Sequence, residues 1–553
     1  MSLTSVADRP ARRPVSAWLS GAGLVAFLVI LPFGGLAFEA FKGSPSLWSH
    51  LFSTILPVAL ADTVILLGGV GLMTAAIGTL TAWLVTAYDF PGRRVLEWAL
   101  LLPLAVPTYI IAYAYLDILH PIGSVQGAIR WLLGYESPRQ FRLPDIRSMT
   151  GCILLLGMVL YPYVYIPVRA MFLTQSANLI EAGRMLGISR RGVFWHIALP
   201  LARPAVAVGV SLALMETLND VGAAEFLGVR TLTVSIYTTW ITRTDLPGAS
   251  QIALALLFIV VALIAIERWA RRNQRYATDS RRSRGLQPQK VSPSKGLLLS
   301  ALGFLPVILG FAAPAVYLAS EAWKRFRFAG VSANFLSEAG YTVLFASVAT
   351  AAVILLGLLL AYAGRLWPGA GSSLLMRIAA TGYAAPGTVV AIGVLIVLGS
   401  ADRMIFHAGT QWLGVATGLF FMGSGAALVY ALTVRFLAIS AGGIDAGLAR
   451  IPVTLDHASR TLGQTPSGTF RLVHLPLSKT AIAAAALLVF VDCVKELPAT
   501  LLLRPLNVET FATHLYGEAA RGTYEEASIA ALAIVLVSLL PVILLSRVGT
   551  TRR

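Results

Sequence analysis

Four carboxylates lie inside apolar stretches of this chain, as two pairs of matching spacing. Glu216 and Asp220 form the first pair; Asp492 and Glu496 form the second, with Lys495 among them. Residues four apart on a helix share a face. A charge at the centre of a membrane helix costs about 2.5–3.5 kcal/mol, so such residues face the protein interior or a wet cavity. Carboxylates are hard oxygen donors suited to passing contact with a hard cation. Two readings follow. Either these five residues line a translocation route, or Lys495 neutralises a neighbouring acid and the group fixes helix packing. No closed ligand shell is expected in either case, because a carrier must release its cargo, so no tightly bound metal is expected.

A second doubled signal is a polar loop. Glu181, Ala182 and Gly183 are followed by Gly187, then Leu199 and Pro200; His457, Ala458 and Ser459 are followed by Gly463, then Leu475 and Pro476. The offset between the two copies is the one that relates Glu216 to Asp492, and it also relates Phe194 to Phe470 and Arg184 to Arg460. Small side chains at 182, 183 and 187 let another protein approach one helix face closely. Gly187 permits a turn after a short helix over 178–186, and Pro200 is expected to stop the segment before the next apolar run. The loops 178–200 and 455–476 therefore read as two levers for a partner protein. His196, His457 and His474 lie within them.

These residues need a membrane scaffold. Apolar residues make up 57% and charged residues 12%, about half the charged fraction of a soluble chain. Apolar runs long enough to span a bilayer cover 17–38, 64–88, 98–116, 148–168, 204–224, 246–266, 297–320, 339–364, 378–401, 408–434, 480–503 and 527–546. They do not alternate as barrel strands do, so they predict an all-α polytopic membrane protein of about 12 transmembrane helices. The net charge of +17 reflects the excess of Lys and Arg on cytoplasmic loops rather than a nucleic-acid surface. That rule puts both termini and both repeated loops in the cytoplasm. Two cysteines, Cys152 and Cys493, show no ligand spacing.

The basic stretch 271–295, read as a cytoplasmic linker, divides the chain into halves, 1–270 and 296–553. Thr63-Val64 matches Thr342-Val343, and Pro107 matches Pro386, at one common offset slightly longer than that of the loops. Six spans per half give a parallel repeat; the prolines either kink the third span of each half or reflect only the abundance of proline in membrane helices.

The loop spacing resembles the coupling loop of permease subunits in ATP-binding-cassette importers. The stretches Met215–Gly222 and Asp492–Pro505 are similar to those of the fused iron(III) permeases, which join two six-span halves in one chain. His457 and Ser459 depart from that family's Glu-Ala-Ala pattern. The resemblance implies a permease with no catalytic residues or cofactor of its own, since no GxxxxGK[ST] phosphate cradle is present. ATP and Mg would be used by two ATPase subunits on the cytoplasmic side, and a periplasmic or extracellular solute-binding protein would deliver cargo. A multi-pass protein of the bacterial inner membrane is implied, with lipid as its surroundings and no nucleic acid. Thiamine and other small solutes remain alternatives within this class. An ATPase-independent secondary transporter is the rival outside it.

Overall fold

Long apolar runs without alternation satisfy their backbone only as helices in lipid, and the chain is almost wholly helical. The computed structural model describes residues 14–43, 51–174, 185, 187–271, 288–414 and 418–550. Among these, nine helices are long and apolar enough to cross a bilayer, from Ala17–Lys42 to Pro466–Val494. Two further helix pairs are long and apolar enough only when taken together and are sharply bent: Arg93–Ala105 with Thr108–Ile118 at 93°, and Met149–Leu160 with Pro162–Leu173 at 42°. The helix Tyr524–Thr550 occupies the last apolar run. Leu72, Phe258, Val316 and Leu355 stand exposed on these spans, as side chains facing lipid do. The linker 271–295 is described only at its ends, where Gln289–Lys290 pairs in parallel with Tyr88–Asp89.

Two boundaries differ from those read in the sequence. The run at 408–434 is not one span: helices Gly387–Trp412 and Ala426–Leu448 flank a break. Gly414 (φ +64°) and Gly425 (φ +81°) turn the chain there, in a conformation that glycine adopts without steric cost. Pro200 does not stop its segment either. A continuous helix runs Phe194–Asn219, with a π-helical turn at Phe194–Ala198 just before Leu199-Pro200. The second repeat has the same turn at Phe470–His474, just before Leu475-Pro476. Proline lacks an amide N–H and its ring crowds the carbonyl four residues back. Widening the preceding turn relieves both problems. Leu51–Ile55 before Leu56-Pro57 and Ile308–Ala312 before Ala313-Pro314 repeat the device.

The chain forms two compact units. One contains the residues up to Gly35, Val343–Ala385 and Gly393–Cys493; the other contains Leu36–Thr342, Pro386–Ile392 and Val494 onward. The units therefore do not follow chain order: each takes the opening helix of the opposite repeat. In the first unit, the Tyr430 hydroxyl donates to the Leu28 carbonyl at 2.5 Å. Gly393 lies so close to the opening helix that a Cβ there would stand 2.4 Å from the Pro32 carbonyl oxygen. In the second unit, the Tyr115 hydroxyl donates to Leu309 O at 2.6 Å, and Tyr317 donates to Asp117 at 2.6 Å.

The second unit also explains the repeated Thr-Val pairs. Thr63 Oγ1 accepts from Leu232 N at 3.0 Å, and Thr342 Oγ1 accepts from Phe511 N at 2.9 Å. Each threonine satisfies an otherwise orphaned donor in the first turn of a short helix, Leu232–Ile241 or Phe511–Arg521. Beside the latter, His514 pairs with Glu338 at 3.1 Å. The Glu338 carboxylate holds the imidazole pKa above its usual 6.5. A pKa raised by folding adds stability that is complete below the unfolded value and is lost as pH rises through the folded one. His514→Gln is therefore expected to lower the unfolding midpoint below pH 6.5 and to matter less at higher pH. A pH-independent difference in thermal unfolding would contradict this.

Candidate functional site

The second repeated loop lies within the first unit. Val453–Thr461 is a helix, and Gly463 (φ +79°) closes it. Gly463 N donates to Arg460 O at 3.0 Å and Gln464 N to Ser459 O at 3.1 Å, the paired bonds by which a left-handed glycine ends a helix. Ser459, which replaces alanine in the pattern, is buried with its hydroxyl 2.8 Å from that of Thr469. Ala458 and the exposed His457 are carried on the same helix. Thr465 then caps the next turn by accepting from Gly468 N, and the chain enters Pro466–Val494 directly. Leu475 and Pro476 lie inside that span.

Asp456 ties this helix down. Its carboxylate meets Arg365 at 2.9 Å and His474 Nε2 at 2.5 Å. Arg365 also donates to the carbonyls of Leu448 (2.5 Å) and Ile451 (2.9 Å). These carbonyls lie at the end of the helix Ala426–Leu448, where a cation complements the helix dipole. Tyr362 donates to Pro466 O at 2.6 Å, and its ring packs on Phe470, His474 and Trp18. One lever is thus bolted to three spans.

In the first repeated loop, Glu181, Ala182 and Gly183 lie outside the described residues. Gly187 is described and has φ +82°, matching Gly463. Leu199 and Pro200 begin the helix Leu199–Asn219. Phe194 packs on Trp83 at 5.3 Å, as Phe470 packs on Tyr362 at 4.8 Å. Trp83 and Tyr362 are themselves related by the offset that joins Thr63 to Thr342, so the brace is part of the repeat. The Asp456 tether is not: Thr86 and Ala198 occupy the positions related to Arg365 and His474.

The acidic pairs lie at helix ends, which corrects the shared-face reading. Glu216 is half-buried inside Leu199–Asn219, but Asp220 falls after that helix in extended backbone. Its Oδ1 accepts from Ala223 N (2.7 Å) and Ala224 N (3.3 Å), and Thr108 donates to Oδ2. Asp220 therefore caps the short helix Gly222–Phe226 while holding the first residue of Thr108–Ile118. Glu496 repeats the cap: it accepts from Ala499 N (2.8 Å), Thr500 N (3.0 Å) and Thr500 Oγ1 (2.8 Å), at the start of Pro498–Leu503. Asp492 is half-buried in the helix Leu475–Val494. Lys495 follows that helix, and its carbonyl accepts from the Tyr109 hydroxyl at 3.3 Å.

Pro107 and Pro386 bring a second element to this junction. Both third spans break there, Pro107 just before the helix Thr108–Ile118 and Pro386 just before Gly387–Ala408. Thr108 and Gly387, equivalent positions of the repeat, each open the helix after the break. Thr108 bonds to Asp220, and Gly387 N donates to the Asn219 side chain at 2.8 Å. Two adjacent residues at the end of one fifth span thus hold the first residues of both helices, within the second unit. Gly222 makes the packing possible: a Cβ there would stand 2.7 Å from Tyr109 Cβ and 3.0 Å from Leu497. Gly222→Ala is expected to cost about 1–3 kcal/mol, read as a lower unfolding midpoint in detergent; an unchanged midpoint would contradict that packing.

Residues 76–276 match the binding-protein-dependent transport system inner membrane component family. The chain resembles that family over this stretch. It is similar along 90% of its length to the Fe(3+)-transport system permease protein FbpB 2 of Haemophilus influenzae, at 23% identity over 91% of that protein. It is 27% identical over 37% of its length to the molybdenum transport system permease protein ModB of Escherichia coli K12, covering 88% of that protein. It is 29% identical over 35% of its length to a putative 2-aminoethylphosphonate transport system permease protein of Salmonella paratyphi A, covering 67% of that protein. The permease is thus a multi-pass inner-membrane protein and a transport subunit.

Sequence reasoning missed the permease's Trp83, Tyr362, Arg365, Thr108 and Asn219. The offset that revealed the Thr-Val match also links Trp83 with Tyr362, so periodicity alone could have found those two. Arg365 offered no such signal, because its partner Asp456 is distant in sequence and the pair has no counterpart in the first repeat.

Proposed function

We propose that the permease forms the translocation pathway of an ATP-driven importer, most favourably for iron(III), and works by alternating access. Resemblance along nearly the whole chain to a ferric permease supports this cargo. Two ATPase subunits would grip the loops 178–200 and 455–476 from the cytoplasm, where both termini also lie. ATP and Mg would be used in those subunits, and this chain would carry no cofactor. A solute-binding protein would deliver cargo from outside.

The single observation behind the mechanism is the rigid path from loop to junction. Each loop's closing glycine is followed by a helix that runs, without interruption at Leu-Pro, to the capped turn at Asp220 or Glu496. A push on the loop would therefore reach the turn instead of being absorbed at proline. Glu181, Ala182, Gly183, Gly187, Leu199 and Pro200, with His457, Ala458, Ser459, Gly463, Leu475 and Pro476, would be the coupling residues. Glu216, Asp220, Asp492, Lys495 and Glu496 would border the route, with Asp220 and Glu496 holding its walls through the caps described above.

Uptake of labelled ferric iron into liposomes holding the permease, its ATPase and its binding protein tests this reading. Iron accumulation that requires ATP is expected. Accumulation of thiamine, molybdate or phosphonate alone would overturn the cargo, and uptake without the ATPase would instead favour a secondary transporter. Gly463→Val forces a branched residue into the left-handed region and is expected to leave ATP hydrolysis running while uptake falls; uptake per ATP equal to wild type would argue against the lever.

A further inference from the structure

Two tyrosines related by the repeat pack together beside a single carboxylate. Tyr237 and Tyr516 stand at the offset that joins Thr63 to Thr342, and their rings pack edge to face at 6.0 Å. The Tyr516 hydroxyl donates to the Glu225 carboxylate, and the Phe226 ring stacks on Tyr516 at 5.5 Å. Glu225 has no acidic counterpart: Leu501 stands at the position related to it as Asp492 is to Glu216. Tyr516 is buried, whereas Glu225 and Tyr237 are only partly so.

We propose that Glu225, Tyr237 and Tyr516 form a transient iron(III) site on the translocation route. This rests on the iron reading above. One carboxylate and two phenols are all hard oxygen donors, the class a small trivalent cation selects. The guanidinium of Arg504 is engaged by Glu509 at 2.5 Å and the Val508 carbonyl at 2.7 Å. An oxyanion such as molybdate or a phosphonate would meet the Glu225 charge directly. Three protein donors leave the remaining positions on a ferric ion to water or a carried anion, which suits a site that must let go. On binding, the two phenol O–H bonds break, three protein–iron bonds form (two phenolates and the Glu225 carboxylate), and three of the ligands iron arrived with depart. Both protons leave to water, Glu225 contributes its existing charge, and iron stays ferric throughout.

The test uses the full-length permease in nanodiscs titrated with ferric nitrilotriacetate, followed by the visible phenolate-to-iron charge-transfer band. Wild type is expected to give the band. Tyr237→Phe and Tyr516→Phe should each remove most of it, and Glu225→Gln should weaken apparent affinity about 10- to 100-fold, the scale of losing a metal-site partner. Tyr237→Phe keeps the ring packing and loses only a hydroxyl, so it guards against a misfolded Tyr516→Phe. Iron uptake by the reconstituted complex should fall in parallel. If that complex takes up ferric iron but wild type shows no band, or all three variants transport as wild type does, the site is refuted and the cargo reading stands. If the band is present and tyrosine-dependent while the complex carries some other solute, the cargo reading fails and the site stands. Absence of both band and iron uptake removes both.

Discussion

Arg365→Met is expected to abolish coupled uptake while ATP hydrolysis continues. Arg365 and Asp456 are only 12% and 14% exposed, so methionine strands a carboxylate and two helix-end carbonyls in a nearly dry site. Breaking a buried pair by removing one partner costs about 3–5 kcal/mol, and the residual exposure here places the loss near the low end. The His474 contact persists and keeps Asp456 partly matched, so the unit is expected to fold. What is lost is the bolt between the helix Val453–Thr461 and the end of Ala426–Leu448. A freed lever would absorb the motion of the motor locally. Arg365→Lys keeps the charge but cannot reach Asp456 and both carbonyls in one planar fork, so it should recover folding more than coupling. Uptake per ATP hydrolysed is the decisive ratio. A normal ratio in Arg365→Met would show that the tether has no part in transmission.

That tether marks the limit of what was legible in the chain. Helical class, the membrane setting and the doubled loop were readable, because each is a periodic or compositional signal carried by consecutive residues. The turn at Gly187 was readable too, since a glycine after a short polar helix has one common use. The Leu-Pro motif misled. Proline's local rule says stop, whereas a π-helical turn before it lets the helix continue. The acid pairs misled for a related reason. Spacing of four implies a shared face only while the helix lasts, and both helices end between the two acids. The exchange of opening helices left no sequence trace. It depends on close backbone approaches at Gly393 and Gly310, and nothing local distinguishes such a glycine from its neighbours.

Asp220→Ala should have the other large effect, and the contrast with Asp220→Asn separates the carboxylate's two possible jobs. Alanine orphans Ala223 N and the Thr108 hydroxyl and weakens the support of Ala224 N. Each buried unsatisfied polar group costs about 1–3 kcal/mol, so a loss of about 3 kcal/mol or more is expected, with the permease recovered poorly from the membrane. Asparagine keeps an acceptor oxygen for Ala223 and presents a second polar atom to Thr108, and it caps helices as well as aspartate does. It removes only the charge. If Asp220 serves as a cap and clamp, Asp220→Asn folds and transports nearly as wild type does while Asp220→Ala fails. If the charge itself guides a cation, Asp220→Asn folds normally yet loses uptake. Glu496→Gln makes the same comparison in the second repeat, where the cap is made with Ala499 and Thr500. Asp220 clamps another helix through Thr108 in addition to its cap. Equal and severe loss of folding in both neutral variants would mean that neither carboxylate works through its backbone bonds alone, and the cap account of this junction would fail.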